Sequence, residues 1–167
     1  MPEADHTGEQ FHRLVGMLDY SMFIVTAAAG ETRAGCLVGF AAQCSISPPR
    51  FMVWLSKNNH TFTVAERSGS LGVHLLSRNE FELARLFGSC TGFERDKFAE
   101  CAWRPGPDGV PLLEDCPGVF VGEILQRHDT GDHVGLLLRP SAARAAREAV
   151  PRLTFRDVRD LDPGNEA

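Results

Sequence analysis

The segment 35–61, GCLVGFAAQCSISPPRFMVWLSKNNHT, most narrows what this chain can become. Two runs of β-forming residues bracket Ser47-Pro48-Pro49. Proline cannot donate to a sheet ladder, so one strand must end there and another begin beyond it. The second run, 51–55, delivers the chain to Asn58, Asn59, His60 and Thr61, a polar cluster opening a helix. A helix start carries unpaired N–H donors and a partial positive charge, so the cluster predicts an anion site, best suited to a phosphate. Lys57 adds charge nearby. Read locally, plain helix capping by Asn59 or Thr61, worth roughly 1 kcal/mol, is the more economical account.

The remaining pattern is mostly β. Phe11, Leu14, Val15 and Leu18 fall at helical spacing, predicting a short amphipathic helix over 10–18. Strands are expected over 22–28, 35–44 and 51–55, with a turn at Gly30. Helices over 61–67 and 78–87 flank a strand over 71–76, and Gly69 and Gly88 serve as stop signals. The stretch 89–109, with Gly92, Pro105, Gly106, Pro107 and Gly109, reads as a loop with a short turn at 96–98. Beyond it, 118–126 and 133–138 form a hairpin about the turn 129–132. Residues 141–150 fit a short helix or an extended crossover, and 152–158 alternate as a last strand. Six or seven strands with few helices between them imply a mainly β fold, an antiparallel barrel with peripheral helices rather than a doubly wound sheet. A single domain over 10–160 is expected, with flexible ends at 1–9 and 161–167.

Composition removes several function classes. At 167 residues and 43% hydrophobic, the chain can build one substantial core, and 23% charged residues argue for a soluble globular protein. A net charge of −5 offers no footprint for a nucleic-acid backbone. The apolar runs are too short for a membrane span, and the acidic start does not resemble a leader, so a cytoplasmic protein is expected. Five cysteines without CxxC spacing disfavour a disulfide framework or a zinc knuckle and read as reduced, mainly buried thiols.

Within the first long strand, Gly35 and Gly39 mark either close approach of a flat ligand to the backbone or simple relief of crowding. Gln43 and Ser45 add donors near the turn. His133 enters the last hairpin strand where an imidazole can face a ligand, although a lone turn histidine is more often structural. The six histidines show no HExxH spacing, so no metal is expected, and there is no GxSxG nucleophile elbow. Cys44, beside the proposed ligand turn, is the residual candidate for a thiol nucleophile. Arg95, Asp96 and Lys97 read as a solvated charged cluster or as a source of charge for a cofactor phosphate.

Taken in order, Val25 to Ala27, the glycine-led strand, SISPP, LSKNNHT, SLGVHLLS, LARLFG, DKF and GDH resemble the flavin reductase-like family of FMN-binding split barrels. The resemblance covers nearly the whole chain. It implies a six-stranded antiparallel Greek-key split barrel, a homodimer, and flavin at the subunit interface. Carried over by position, Leu37, Val38, Gly39 and Phe40 would lie along the ring and ribityl chain. Gln43, Cys44 and Ser45 would approach the phosphate end, completed by Asn58, His60 and Thr61, with His133 near the nicotinamide or the flavin edge. Family members often carry Thr at Leu37 and Ser at Gly39 and Phe40, so three side-chain donors are missing here. Arg139-Pro140 replaces a Gly-Glu often found in relatives.

The implied function is NAD(P)H-dependent reduction of flavin, FMN or alternatively FAD, with the hydride drawn from NADH or NADPH and His133 orienting the donor. A separate monooxygenase is the partner such reductases commonly supply. Two other readings stay open: flavin- or deazaflavin-dependent reduction of an organic substrate, and a flavin- or haem-binding module without turnover.

Overall fold

The computed structural model describes residues 2–89 and 95–162. Among these, nine β-strands accompany four α-helices. In chain order they are α1 (Pro2–Val15), β1 (Phe23–Ala29), β2 (Thr32–Val38), β3 (Ala41–Ser45), β4 (Arg50–Ser56), α2 (His60–Ala65) and β5 (Ser70–Leu75). There follow α3 (Phe81–Ser89), β6 (Trp103–Pro105), β7 (Pro111–Leu113), β8 (Gly118–Asp129), β9 (His133–Ala145) and α4 (Phe155–Val158). Seven strands form one antiparallel sheet in the order β2-β1-β5-β8-β9-β4-β3, and β6 pairs with β7 alone.

The two outermost strands, β2 and β3, are consecutive in the chain and joined only by Gly39 and Phe40. Such a short link forces the sheet to curl until its edges approach. The Trp54 N–H of β4 donates to the Phe40 carbonyl at 2.9 Å across that junction. Alternate residues along each strand face opposite sides. Val25, Val53, Leu55, Val73 and Leu136 pack inside the curl with Val64 and Ala65 of α2, whereas Ile24, Leu76, Phe87, Phe98 and Leu153 form a second cluster outside it under α3.

A buried histidine ties the small sheet to the large one. His74 of β5 donates Nδ1–H to the Ile24 carbonyl and accepts the Leu113 N–H at Nε2, both at 3.0 Å. That pairing fixes the tautomer, because an amide N–H needs an acceptor. Burial pulls the imidazole pKa down to about 4. Beside it the Thr26 hydroxyl donates to the Pro111 carbonyl at 2.7 Å.

The mainly β, antiparallel expectation describes this architecture, but several elements differ in detail. The strand expected over 35–44 is two strands, because Gly39 and Phe40 leave the ladder, so the main sheet has seven strands rather than six. Residues 141–145 continue β9, with Ala142 opposite Val121 and Ala143 opposite Phe120; a partner strand overrides the helix preference of alanine. Residues 152–158 are not a strand. Single bridges at Arg152 and Thr154 precede α4, which Thr154 and Asp157 start as a reciprocal capping box.

The short strand β6 lies inside the loop expected over 89–109, and its partner β7 follows just beyond it. At the other end, α1 occupies positions assigned to a flexible terminus, its last turn favoured by His12 and Arg13 at the negative end of the helix dipole. Cys90, Gly92 and the tail from 163 onward lie outside the described residues.

Candidate active site

The chain junction Gly39-Phe40 opens onto a cleft of about 190 Å³ between β2 and β4. Leu37, Val38, Gly39 and Phe40 line one side, and Trp54, Ser56 and Asn59 the other. As an outer strand, β2 directs half of its backbone N–H and C=O groups away from β1, which gives the cleft donors and acceptors independent of side chains.

Three residues complete the walls from the two ends of the chain and from the last hairpin. Tyr20, from the segment before β1, stacks on Phe155 of α4 with centroids 5.1 Å apart and planes at 21°. His133, the first residue of β9, lies with its ring centroid 5.1 Å from that of Phe40. Its Nδ1 pairs with Asp132 Oδ1 at 2.6 Å, and this contact holds the Asp132 carboxyl below its ordinary range. Phe155 is held in place by backbone bonds, its N–H donating to the Tyr20 carbonyl at 2.9 Å. Asp19 Oδ1 accepts the Arg156 N–H at 3.1 Å.

The cleft therefore brings together five expected residues, Leu37, Val38, Gly39, Phe40 and His133. It does not include Gln43, Cys44, Ser45, Asn58, His60 or Thr61 in its lining. Cys44 is exposed on β3, and Gln43 is exposed with its Nε2 donating to the Ser45 carbonyl at 3.2 Å. Asn59 Oδ1 accepts the Thr61 N–H at 2.9 Å, so the helix cap is formed by Asn59. The Thr61 side chain is buried beside the thiol of Cys36, whose pKa burial pushes up and Thr61 and Lys97 partly restrain. His60 is half-buried, and desolvation with the charges of Lys97 and Arg67 pulls its pKa down.

One sequence expectation changes, and one open alternative narrows. Lys97 is not a solvated charge: it is buried, with Nζ donating to the Gly35 and Phe87 carbonyls at 3.0 Å each, because the turn capped by Asp96 points it inward. Arg95 pairs with Glu100 instead. Of the two readings of Gly35 in β2 and Gly39 just after it, the surroundings match relief of crowding by protein side chains. A Cβ on Gly35 would sit 2.7 Å from the Phe87 ring, and one on Gly39 would collide with the Tyr20 ring.

Tyr20, Trp54 and Phe155 were not legible as site residues. Tyr20 and Phe155 stand far apart in sequence and meet through a β-bridge between Ser21 and Thr154 that no local pattern announces. Among the described residues no cluster of three or more His, Cys, Asp or Glu forms a metal site.

A family model described as "Flavin reductase like domain" matches residues 15–161. The chain belongs to the flavin reductase-like family. It is 29% identical over 141 residues to a 4-hydroxyphenylacetate 3-monooxygenase reductase component of Pseudomonas aeruginosa, a match covering 83% of this chain and 82% of that protein. It is 27% identical over 139 residues to the FMN reductase (NADH) RutF of Methylorubrum extorquens, covering 83% of this chain and 67% of the relative. Among solved structures, a flavin reductase domain protein from Arthrobacter superposes with a TM-score of 0.81 at 22% identity, over 90% of this chain and 91% of the other. The Streptomyces globisporus NADH:FAD oxidoreductase SgcE6 superposes with a TM-score of 0.80 at 21% identity, over 89% of this chain and 87% of its own. These two show a shared fold.

The cleft chemistry fits the cofactor that the family name implies. Apolar and aromatic walls suit a flat ring system, and outer-strand backbone groups suit its carbonyl and N–H edge.

Proposed function

We propose that this chain is an NAD(P)H:flavin oxidoreductase whose cleft between β2 and β4 holds the flavin. The observation that carries the reading is an aromatic-walled cleft with a histidine at its mouth, in a chain of this family. FMN is the expected flavin, with FAD the alternative; relatives and neighbours are named for FMN, FAD and NADH. Bound flavin supplies the hydride chemistry, accepting two electrons and a proton equivalent from a nicotinamide.

The chain's own part is positioning. Backbone groups of Leu37, Val38, Gly39 and Phe40 orient the ring, and His133, set by Asp132, orients the donor. Asn58, His60 and Thr61, around the start of α2, stand as the phosphate end of this proposal; Gln43, Cys44 and Ser45 pair with the opposite end of β4, so they join a phosphate site only if a second copy brings them to it. Backbone contacts take the place of the hydroxyl donors absent at Leu37, Gly39 and Phe40.

The split-barrel closure, the single domain over 10–160 and the homodimer belong to the same proposal. Exposed Phe11, Leu14, Met17 and Leu18 on and just after α1 support a second copy as the cover for that face. A separate monooxygenase as recipient of reduced flavin is supported by the name of the Pseudomonas relative. No helix among the described residues is long and apolar enough to cross a membrane. The free cysteines suit a reducing, cytoplasmic setting.

The test is to titrate the purified protein with FMN, following flavin fluorescence, and then to mix the complex with NADH or NADPH in a stopped-flow instrument. Bleaching of the flavin absorbance within a catalytic turnover is the expected result. Binding without bleaching would leave a flavin-storage module, and a Soret band in the isolated protein would indicate haem.

A further inference from the structure

We propose that the side chain of Phe40 is a gate over the cleft, lying where the flavin ring must pass and turning outward to admit it; this rests on the flavin reading above. Phe40 joins β2 to β3, and its carbonyl is held by the Trp54 N–H at 2.9 Å. Its backbone is thereby anchored. Its side chain borders solvent: the residue is 53% exposed, and its ring meets those of Tyr20 and His133 only at tilted angles.

Distances decide that the ring obstructs rather than supports. A flat ring inserted between two others needs about 7 Å from ring to ring, two contacts of roughly 3.5 Å. Phe40 lies 5.1 Å from His133 and 6.4 Å from Tyr20, tilted at 48° and 55° respectively. Neither gap admits an aromatic ring. The cleft measures about 190 Å³, below the roughly 300 Å³ at which small-molecule sites begin. Turning the Phe40 side chain about its own torsions enlarges both gaps without disturbing the Trp54 bond. Its neighbours are less free, since Tyr20 is stacked on Phe155 and His133 is paired with Asp132.

A gate reduces affinity by the fraction of time it stands open, so one open about a tenth of the time weakens binding about tenfold. Removing the ring removes that penalty and speeds entry. The experiment is stopped-flow quenching of FMN fluorescence by the full-length protein, without nicotinamide, for the wild type, Phe40→Ala and Phe40→Trp, each first checked for native circular dichroism. A several-fold faster association for Phe40→Ala, with slower association for Phe40→Trp, is expected.

Binding by Phe40→Ala but not by the wild type would support the gate most strongly. Equal or slower association for Phe40→Ala, with faster dissociation, would make Phe40 a stacking shelf and overturn the gate while leaving the flavin reading intact. Failure of both folded proteins to quench FMN would instead remove the flavin reading, and the gate with it. Should Phe40→Ala not fold, Phe40→Leu, which keeps apolar volume but no flat face, carries the same expectation.

Discussion

The Phe155 ring is stacked on Tyr20, 5.1 Å between centroids, so the last helix supplies a wall of a cleft whose floor comes from the second strand. The contact makes the C-terminal segment part of the site. Phe155→Ala should lower stability by about 1–2 kcal/mol, combining the lost aromatic pair with partial burial. It should also raise the KM for NADH several-fold, since the wall that confines the donor is gone. Urea midpoints and steady-state kinetics on the same preparation check both.

Gly35 of β2 and Gly39 just after it should separate stability from function. A methyl group at Gly35 meets the Phe87 ring, which is fully buried between α3 and the sheet, so Gly35→Ala should cost about 2–3 kcal/mol. At Gly39 the obstacle is the edge of the half-buried Tyr20 ring, which borders solvent and yields with less loss of packing than the fully buried Phe87. Gly39→Ala should therefore cost less stability and weaken flavin binding more. Reversed rankings in urea unfolding and FMN titration would show that the Tyr20 stack does not shape the cleft.

These glycines also show how far the sequence alone reaches. Strand runs around Ser47-Pro48-Pro49 and the GDH turn locate β4, β8, β9 and the end of β3 because proline and turn residues act locally, but not the break that separates β3 from β2. Leu37, Val38 and Phe40 enter through the family resemblance, whereas Gly39 and His133 carry local signals. Tyr20 and Phe155 do not, since their meeting depends on a bridge between chain ends. The alternation of Leu153 and Phe155 mimics a strand although the two serve different surroundings, a buried core and the cleft. Lys97 misleads for a related reason: its charge suggests solvent, and only the tertiary fold supplies the carbonyls that receive it.

Lys97 itself yields a clear expectation. Its ammonium satisfies the Gly35 and Phe87 carbonyls inside the protein, so Lys97→Met should destabilise the fold by about 1–3 kcal/mol. FMN affinity should change less than about threefold in the folded protein, because the ammonium is engaged by the Gly35 and Phe87 carbonyls and Lys97 is not among the residues lining the cleft. A large loss of FMN affinity with unchanged urea midpoint would return Lys97 to the phosphate end.

His74 sets a pH dependence whose sign follows from its burial. Its folded pKa is about 4 against an ordinary value of 6.5, so at any pH between them the unfolded chain binds more protons than the folded one. Stability is therefore unaffected by this group above pH 6.5 and falls as pH drops from 6.5 toward 4, by about 3 kcal/mol in all. The lowered pKa of His60 acts in the same direction. His74→Leu should be less stable at pH 8, since the Ile24 carbonyl and Leu113 N–H lose their partner, yet show a shallower fall between pH 6.5 and 5. Parallel slopes for wild type and variant would assign the titration elsewhere.

His133 is the remaining group whose role can be separated from binding of the flavin. Its ring lines the cleft with Nδ1 paired to Asp132, so Nε2 is the nitrogen through which the proposed contact with the donor would run. His133→Ala should raise the KM for NADH about tenfold, the equivalent of one hydrogen bond to a positioned ring, while FMN affinity changes little. Asp132→Asn should give a smaller rise, because it loosens the imidazole without removing it. Unchanged NADH oxidation by His133→Ala at every donor concentration would end its assignment as the orienting residue, and would move attention to Tyr20 as the side chain that confines the donor.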